Sequence, residues 1–327
     1  MKRILFWLSL AVCATLACLA QDAGPPPAGQ ATQEKTPTIR VDVKLVNVFT
    51  TVVDELGAPV ATLRREDFQV LEDGVPQNVA VFDRESELPL SIVLAIDTSL
   101  STRKDIKLEL ESARRFVRSI LRPVDALALY QFSDRVDELV AFTADLKRID
   151  RGIARARVGA ATALFDAVFL GGRALEPRTG RKVLVVITDG ADTGSVVKYA
   201  EAVRSAQQAE AIVYSIIVVP IASSAGRNLG GEHALIQISR DTGGRHFYSQ
   251  SIAQLDEALQ RVSEELRTQY LVAYYPKRRL SSSEFRRIEV KVRGMRPAEP
   301  PPDLPPDEEP SGYRVRHRSG YYTSKAE

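Results

Sequence analysis

Short apolar runs alternate with amphipathic helical patterns between residues 88 and 268, and this alternation limits the possible folds most strongly. Runs such as LSIVLAID and RKVLVVITDG are largely apolar without polar alternation, which is typical of strands buried on both faces of a sheet. Stretches between them, such as residues 104–121, carry apolar residues at helical spacing along one face. The pattern predicts an α/β fold with a doubly wound, mainly parallel sheet flanked by helices.

The two segments beside this region alternate apolar and polar residues with a period of two, which predicts antiparallel strands. Each of them alone is short for a stable β-structure. We therefore expect residues 38–87 and 269–327 to pack together as one small antiparallel β-sandwich, with residues 88–268 inserted into it. In the second segment, YRVRHRSGYYT is expected to be a strand and the Pro-rich residues 296–311 a loop.

Residues 1–20 have the pattern of a secretory signal peptide: two basic residues, an apolar stretch, and small residues before Gln21. Residues 21–37, rich in Pro, Gly and Gln, are predicted to form a disordered linker. A retained anchor is one alternative to cleavage. A lipid anchor on Cys18 is another, although Thr15 replaces the leucine that such a site prefers. We expect an exported protein, in the periplasm, at the cell surface or secreted, with no transmembrane segment after cleavage.

The charge balance argues against a nucleic-acid partner. The chain has 44 Lys and Arg against 42 Asp and Glu, which leaves a net charge of +2. Its late basic residues, such as those in FRRIEVKVR, alternate with apolar ones, which fits a solvated strand face better than a phosphate-binding patch. Both cysteines, Cys13 and Cys18, lie in the leader, so we expect no disulfide bond in the mature protein.

The stretch VLAIDTSLST places oxygen-bearing side chains directly after the first apolar run of the α/β segment. Parallel strands end at a common edge of their sheet, and α/β proteins bind ligands at that edge. The side chains predicted to meet there come from three segments and are Asp97, Ser99, Ser101, Thr162 and Asp189. Two carboxylates and three hydroxyls are hard oxygen ligands, so they predict a Mg²⁺ site that Mn²⁺ or Ca²⁺ can also fill.

These motifs resemble the metal-ion-dependent adhesion site of the von Willebrand factor type A domain family. The D-x-S-x-S motif, the separate threonine and the T-D-G strand end of that family have counterparts within residues 88–268. The matching positions are Asp97, Ser99, Ser101, Thr162, Thr188, Asp189 and Gly190. The flanking sequences, with DFQVLEDGVPQ and YLVAYYP, look like those of the secreted von Willebrand A-related proteins of acidobacteria.

The resemblance implies a function as well as a fold. It implies that Ser99, Ser101 and sometimes Thr162 bind the cation directly. Asp97 and Asp189 would bind it directly or through water. The resemblance further implies an adhesion-type protein that captures a Glu or Asp side chain of a partner protein on the metal. This function needs no catalytic residue, and we expect a binding protein and not an enzyme.

Simpler structural roles stay open for several residues. Ser and Asp at a strand-to-helix junction often cap the helix, and Thr162 is also a candidate N-cap of the helix over ALFDAVFL. Asp192 and Thr193 are expected to be turn and capping residues before a helix over 195–210, and Asp166 a solvated or capping carboxylate. Surface or packing roles are expected for the histidines, which are His233, His246 and His317.

Two other functions stay open as well. A Mg²⁺-dependent hydrolase of the phosphoesterase type would fit a metal at Asp97, but Ser99 stands where the D-x-D motif of haloacid-dehalogenase-like phosphatases has its second Asp. The sequence also suggests no general base beside the metal. The third function is that of a cell-envelope scaffold without a metal-bridged partner.

Overall fold

A computed structural model describes residues 45–55, 57–84, 87–100, 106–190, 192–219, 229–278, 284–294 and 313–323. All of them belong to one compact unit, Asp42–Glu327. The predicted signal peptide, linker and Pro-rich loop, at 1–20, 21–37 and 296–311, lie outside the described residues, as does Ser101. What the sequence predicts for these parts stays a prediction.

Strands and helices alternate in the middle of the chain, and strands occur on both sides of that region. The strands are β1 (Val46–Val53), β2 (Phe68–Glu72), β3 (Val75–Gln77), β4 (Val79–Arg84), β5 (Leu90–Asp97), β6 (Ala126–Phe132), β7 (Val136–Thr143), β8 (Arg181–Thr188), β9 (Ile212–Val218), β10 (His246–Ser249), β11 (Tyr270–Tyr274), β12 (Phe285–Val292), β13 (Arg314–Arg316) and β14 (Gly320–Tyr322). The helices are α1 (Ile106–Ile120), α2 (Leu146–Ile153), α3 (Leu164–Leu175), α4 (Tyr199–Gln208), α5 (Leu229–Thr242) and α6 (Ile252–Thr268). Within the described ranges, none of the helices has the length and apolar character needed to cross a membrane.

The central sheet has six strands in the order β10-β9-β8-β5-β6-β7. Neighbouring strands are parallel except for β6 and β7, which form an antiparallel pair. All eight residues of β5 are buried, as a strand covered on both faces requires. The predicted fold class, a mainly parallel α/β sheet flanked by helices, is confirmed.

Helices cover the two faces of this sheet with separate apolar cores. Alternate side chains of β5 point to opposite faces, so Ile92 and Leu94 belong to one core and Val93 and Ala95 to the other. Side chains of α1, α2 and α6 complete the first core, and side chains of α3, α4 and α5 complete the second. This packing fixes the position of β5, and therefore of Asp97 at its carboxyl end.

The strands on either side of the central region form two four-stranded sheets, in the orders β13-β1-β11-β4 and β14-β12-β2-β3. Each sheet combines strands from before and after the α/β region, through antiparallel pairs such as β1 with β11 and β2 with β12. One apolar core receives side chains from both sheets, with Val48 and Val272 from the first and Val70 and Val290 from the second. These antiparallel sheets agree with the β-sandwich of the predicted fold class.

The prediction of one strand over YRVRHRSGYYT is wrong. The segment forms two strands in different sheets, because β13 pairs with β1 whereas β14 pairs with β12. The chain crosses between the sheets at Ser319, whose backbone N–H donates to the carbonyl of Asp241 on α5, at 2.8 Å. The carbonyl of Ser319 accepts from the N–H of Ile288, also at 2.8 Å. Period-two alternation continues through this crossing, so it cannot reveal the break.

Candidate functional site

The carboxylate of Asp97 lies at the carboxyl edge of the central sheet and is fully buried. The hydroxyl of Thr188, the last residue of neighbouring β8, donates to Asp97 Oδ2 at 2.7 Å. The backbone N–H of Ser99 donates to Asp97 Oδ1 at 2.8 Å, and Ser99 is itself 2% exposed. The ends of two parallel strands are therefore joined through one carboxylate.

Burial raises the pKa of Asp97 from its ordinary value of 3.8 to about 6. Hydrogen bonds from Thr188 and Ser99 lower this pKa, and the negative charge of Asp189 raises it. Asp97 and Asp189 thus lie close enough to repel each other, although they follow different strands. A cation between or beside them would favour the ionised form of both carboxyl groups.

The turn that carries Asp189 requires a glycine directly after it. Gly190 has a φ of +85°, in the left-handed region that side chains rarely adopt, and its N–H donates to Thr188 Oγ1 at 3.2 Å. A Cβ atom at Gly190 would also lie 2.9 Å from Cγ of Glu232 on α5. Glu232 is buried, and its carboxylate accepts from the hydroxyl of Tyr248 at 3.2 Å. Sequence spacing did not reveal Glu232 as a neighbour of this edge.

The loop that carries Thr162 is fastened to the same edge by backbone hydrogen bonds. The N–H of Gly159 donates to the carbonyl of Thr98 at 2.9 Å, and the N–H of Ala163 donates to the carbonyl of Ser133 at 2.8 Å. The N–H of Thr162 donates to Thr193 Oγ1 at 3.0 Å, and Thr162 is 3% exposed. The structure thus brings this loop to the end of β5, as the sequence predicts.

Asp134 also holds this loop, a role that no sequence pattern indicated. Its carboxylate accepts from the N–H groups of Ala160 and Ala161 at 2.8 and 3.0 Å. The hydrogen bond from Ala160 is the main reason that the pKa of Asp134 lies below its ordinary value. An aspartate in a β-turn is common, so its position between β6 and β7 is unremarkable in the sequence.

Thr162 is not the N-cap of α3, and Asp192 caps a different helix from the one expected. Ala163 occupies the N-cap position and provides no side-chain hydrogen bond. Asp192 Oδ1 instead accepts from the N–H of Leu164 at 2.9 Å, and Ser195 Oγ accepts from the N–H of Phe165 at 2.9 Å. These two residues precede α4 in the chain but cap α3, because tertiary packing brings their loop to its first turn.

Asp166, expected to be a solvated or capping carboxylate, binds the loop before α4 and not a helix terminus. From the first turn of α3, its carboxylate accepts from the N–H groups of Val196 and Val197 at 3.0 and 2.8 Å. These residues are not helical, and α4 begins only at Tyr199, after the expected start near residue 195. Asp192 binds the first turn of α3 and Asp166 of that turn binds the loop before α4, so hydrogen bonds in both directions join these two segments.

Comparison with known proteins finds a family similarity in the central region. Residues 92–191 match the family model of the von Willebrand factor type A domain. This segment is similar to that family, and the match covers less than half of the chain. The matched segment contains the four predicted site residues that the structure describes, which are Asp97, Ser99, Thr162 and Asp189. A search of curated proteins found no match to the chain.

Three solved structures match the chain at low sequence identity and with TM-scores below 0.5. The von Willebrand factor type A protein from Catenulispora acidiphila is 11% identical, with 77% of this chain and 71% of that chain covered and a TM-score of 0.49. The conserved hypothetical protein BatB from Bacteroides thetaiotaomicron is 19% identical, covering 55% of this chain and 100% of its own, with a TM-score of 0.44. The PilB minor pilin from Streptococcus sanguinis is 11% identical, with 56% of this chain and 62% of the pilin chain covered and a TM-score of 0.44.

The region that matches this family model offers oxygen donors of two kinds at one edge of the sheet. Asp97 and Asp189 provide carboxylates, and Ser99 and Thr162 provide hydroxyls. Among the described residues, no group of three or more His, Cys, Asp and Glu side chains is arranged around a common point. Mixed carboxylate and hydroxyl donors suit a hard divalent cation that keeps water or another oxygen among its ligands.

Proposed function

We propose that this protein is an exported binding module that captures an acidic side chain of a partner protein through a divalent cation. The observation that carries the proposal is the environment of Asp97, which is a fully buried carboxylate. Its pKa is raised by burial and by the negative charge of Asp189. Buried carboxylates of this kind are stabilised by hydrogen bonds or by a metal ion. The family supports an interaction module, since von Willebrand factor type A domains generally mediate protein–protein interactions.

The donors at the edge fit Mg²⁺, with Mn²⁺ or Ca²⁺ as substitutes. Asp97, Ser99, Thr162 and Asp189 would hold the ion, together with the predicted ligand Ser101. When bound, the ion provides a positive contact that a partner's Glu or Asp carboxylate can complete. Because two of the protein donors are charged and the others are neutral hydroxyls, the ion keeps part of its attraction for a further anion. Export rests on the predicted signal peptide, and the proposal includes no catalytic step.

The first experiment measures cation binding. Calorimetric titration with Mg²⁺ and Mn²⁺ should give one site in the unaltered protein and no detectable site in Asp97→Asn, which removes a charge but keeps the side-chain shape. Asp137→Asn is the matched control, because Asp137 lies on β7 of the same sheet and pairs with Arg135 at 2.9 Å. Equal cation binding by both variants contradicts the proposed site.

The second experiment measures partner capture. Tagged protein is incubated with cell-envelope extract in Mg²⁺ or in EDTA, and the retained proteins are identified by mass spectrometry. Partners should be retained by the unaltered protein and by Asp137→Asn in Mg²⁺, and lost in EDTA or in Asp97→Asn. Retention of the same partners in EDTA indicates a scaffold without metal bridging. Phosphoesterase turnover that depends on Mg²⁺ and disappears in Asp97→Asn indicates the hydrolase instead.

A further inference from the structure

A cleft of about 560 Å³ lies on the molecule between the last turns of α4 and α5 and the strands β12 and β14. Its volume is within the range of roughly 300 to 1,000 Å³ that is typical of small-molecule pockets. None of the residues that line the cleft belongs to the candidate cation site at the carboxyl edge. The cleft therefore needs a separate explanation.

Two arginines give the cleft its charge. Arg240 on α5 and Arg287 on β12 both line it. Within the described part of the chain, neither guanidinium group takes part in an ion pair or a side-chain hydrogen bond. Arg318 on a nearby segment differs, because it pairs with Glu210 at 3.4 Å. Two unpaired guanidinium groups beside one cleft favour an oxyanion, which each can bind through two parallel hydrogen bonds.

The negative groups near the cleft are largely engaged by other donors. The carbonyl of Asp241, in the last turn of α5, accepts from both the N–H and the hydroxyl of Ser319, at 2.8 and 3.1 Å. The carboxylate of Asp241 accepts from the side-chain amide of Gln237 at 3.1 Å. These hydrogen bonds weaken the unfavourable effect that a helix C-terminus would have on a bound anion. The balance of charge at the cleft remains positive.

Aromatic rings form another part of the lining. The rings of Phe285 and Tyr322 meet edge to face, with centroids 5.1 Å apart, and Phe285 is 41% exposed. The guanidinium of Arg204 lies over the ring of Tyr322, at 5.6 Å from its centroid. A partly exposed aromatic ring can pack against a flat apolar group. The cleft thus offers an apolar surface next to positive charge.

We propose that this cleft binds a small organic anion, in which a phosphate or carboxylate group is attached to an aromatic ring. Arg240 and Arg287 bind the charged group, and Phe285 and Tyr322 contact the ring. The site is independent of the cation at the carboxyl edge of the central sheet. The two sites can therefore be tested separately.

The test is a ligand-observed NMR titration in buffer with EDTA, with phenyl phosphate and benzoate as probes. At least one probe should bind saturably, and more tightly than inorganic phosphate or phenol. Arg240→Gln and Arg287→Gln should each weaken binding about tenfold, the effect expected for losing a hydrogen bond to a charged group. Arg148→Gln, a change of an exposed arginine on α2, is the matched control and should leave binding unchanged.

Several outcomes would overturn the proposal. Binding within twofold of the unaltered protein in both arginine variants shows that the charges of the cleft do not hold the probe. An equal loss in Arg148→Gln shows a nonspecific effect of net charge. Equal affinity for inorganic phosphate and phenyl phosphate shows that the aromatic rings contribute nothing. Loss of binding in Asp97→Asn places the anion at the other site and leaves the cation proposal to its own titration.

Discussion

Two buried aspartates at opposite edges of the central sheet have opposite electrostatic behaviour. Asp97 ends β5, and burial raises its pKa to about 6. Asp125 accepts from the N–H of Leu90, the first residue of the same strand, at 2.8 Å. Burial acts to raise the pKa of Asp125 too, but hydrogen bonds from Arg122 and from the backbone outweigh it, so this pKa is lowered.

The contrast shows that burial alone does not decide what a carboxylate does. Asp125 has a cation beside it, because its side chain pairs with Arg122 at 3.0 Å, and the ionised form is favoured in the fold. The ionised form of Asp97 is disfavoured by burial and by Asp189. One carboxylate thus stabilises the protein, whereas the other reduces stability at an edge that suits a bound ion.

The largest change in stability is expected at Asp125, the carboxylate that pairs with Arg122. Asp125→Asn should lower the free energy of unfolding by about 3 kcal/mol, because it removes the charge that Arg122 and two backbone N–H groups contact. The value is at the lower end for a buried pair because Arg122 is 43% exposed. Urea denaturation of both proteins measures it. A change below about 0.5 kcal/mol, typical of a surface substitution, contradicts the comparison.

The opposite sign is expected for Asp97. Without divalent cation at pH 7.5, Asp97→Asn should raise the free energy of unfolding by about 2 kcal/mol, since it removes a charge that the fold disfavours. A raised folded pKa means that the stability of the unaltered protein increases as pH falls through about 6. The advantage of the variant should therefore shrink over that range. Denaturation at pH 7.5 and pH 5 tests both statements, and a destabilised variant at pH 7.5 refutes the first.

A smaller effect separates the capping carboxylate from the candidate ligands. Asp192→Ala should cost about 1 kcal/mol of stability, as expected for a lost N-cap, and should also weaken Mn²⁺ binding because Asp192 holds the helix that follows Thr162. Asp145→Ala is the control: Asp145 caps α2 through the N–H of Lys147 at 2.9 Å, so it should lower stability similarly and leave Mn²⁺ binding intact. Equal Mn²⁺ affinity in both variants contradicts the positioning role.

The smallest effect concerns His317. Burial is the main reason that its pKa lies below the ordinary value of 6.5, although the carbonyl of Arg318 and the charge of Glu289 oppose the shift. A lowered folded pKa means that this contribution to stability is complete above pH 6.5 and is lost as pH falls. The pH dependence of stability that His317 causes is therefore opposite in sign to the one that Asp97 causes. When the pH is lowered from 7.5 to 5, the free energy of unfolding of His317→Gln should therefore fall by less than that of the unaltered protein. Urea denaturation at the two pH values measures both changes, and equal changes contradict the prediction.

Much of the fold was predictable from local patterns. Largely apolar runs predicted the central strands, since β5 and β8 have helices on both faces and need apolar residues at successive positions. The expected packing role of a histidine is also found, because His317 Nε2 accepts from the N–H of Val290 at 3.1 Å. Convergence of Asp97 and Asp189 at one edge followed from the geometry of parallel strands. These predictions depend on chain direction and burial, which the sequence encodes locally.

Other features depended on contacts between distant residues. Asp192 precedes α4 in the sequence, but its carboxylate caps α3. Folding brings Asp192 to Leu164, which lies 28 positions earlier in the chain. The division of residues 313–323 between two sheets depends on the contact of Ser319 with α5. The cleft beside Arg240 and Arg287 exists only because α5 packs near β12.

The sequence by itself determined the layers of the α/β region and the residue types at the end of each central strand. Only the tertiary structure decided which carboxylate has a cation beside it, which helix a polar side chain caps, and where a charged cleft forms. The physical reason is that hydrophobic periodicity is local, whereas desolvation and charge pairing depend on every group that folding brings within a few ångströms.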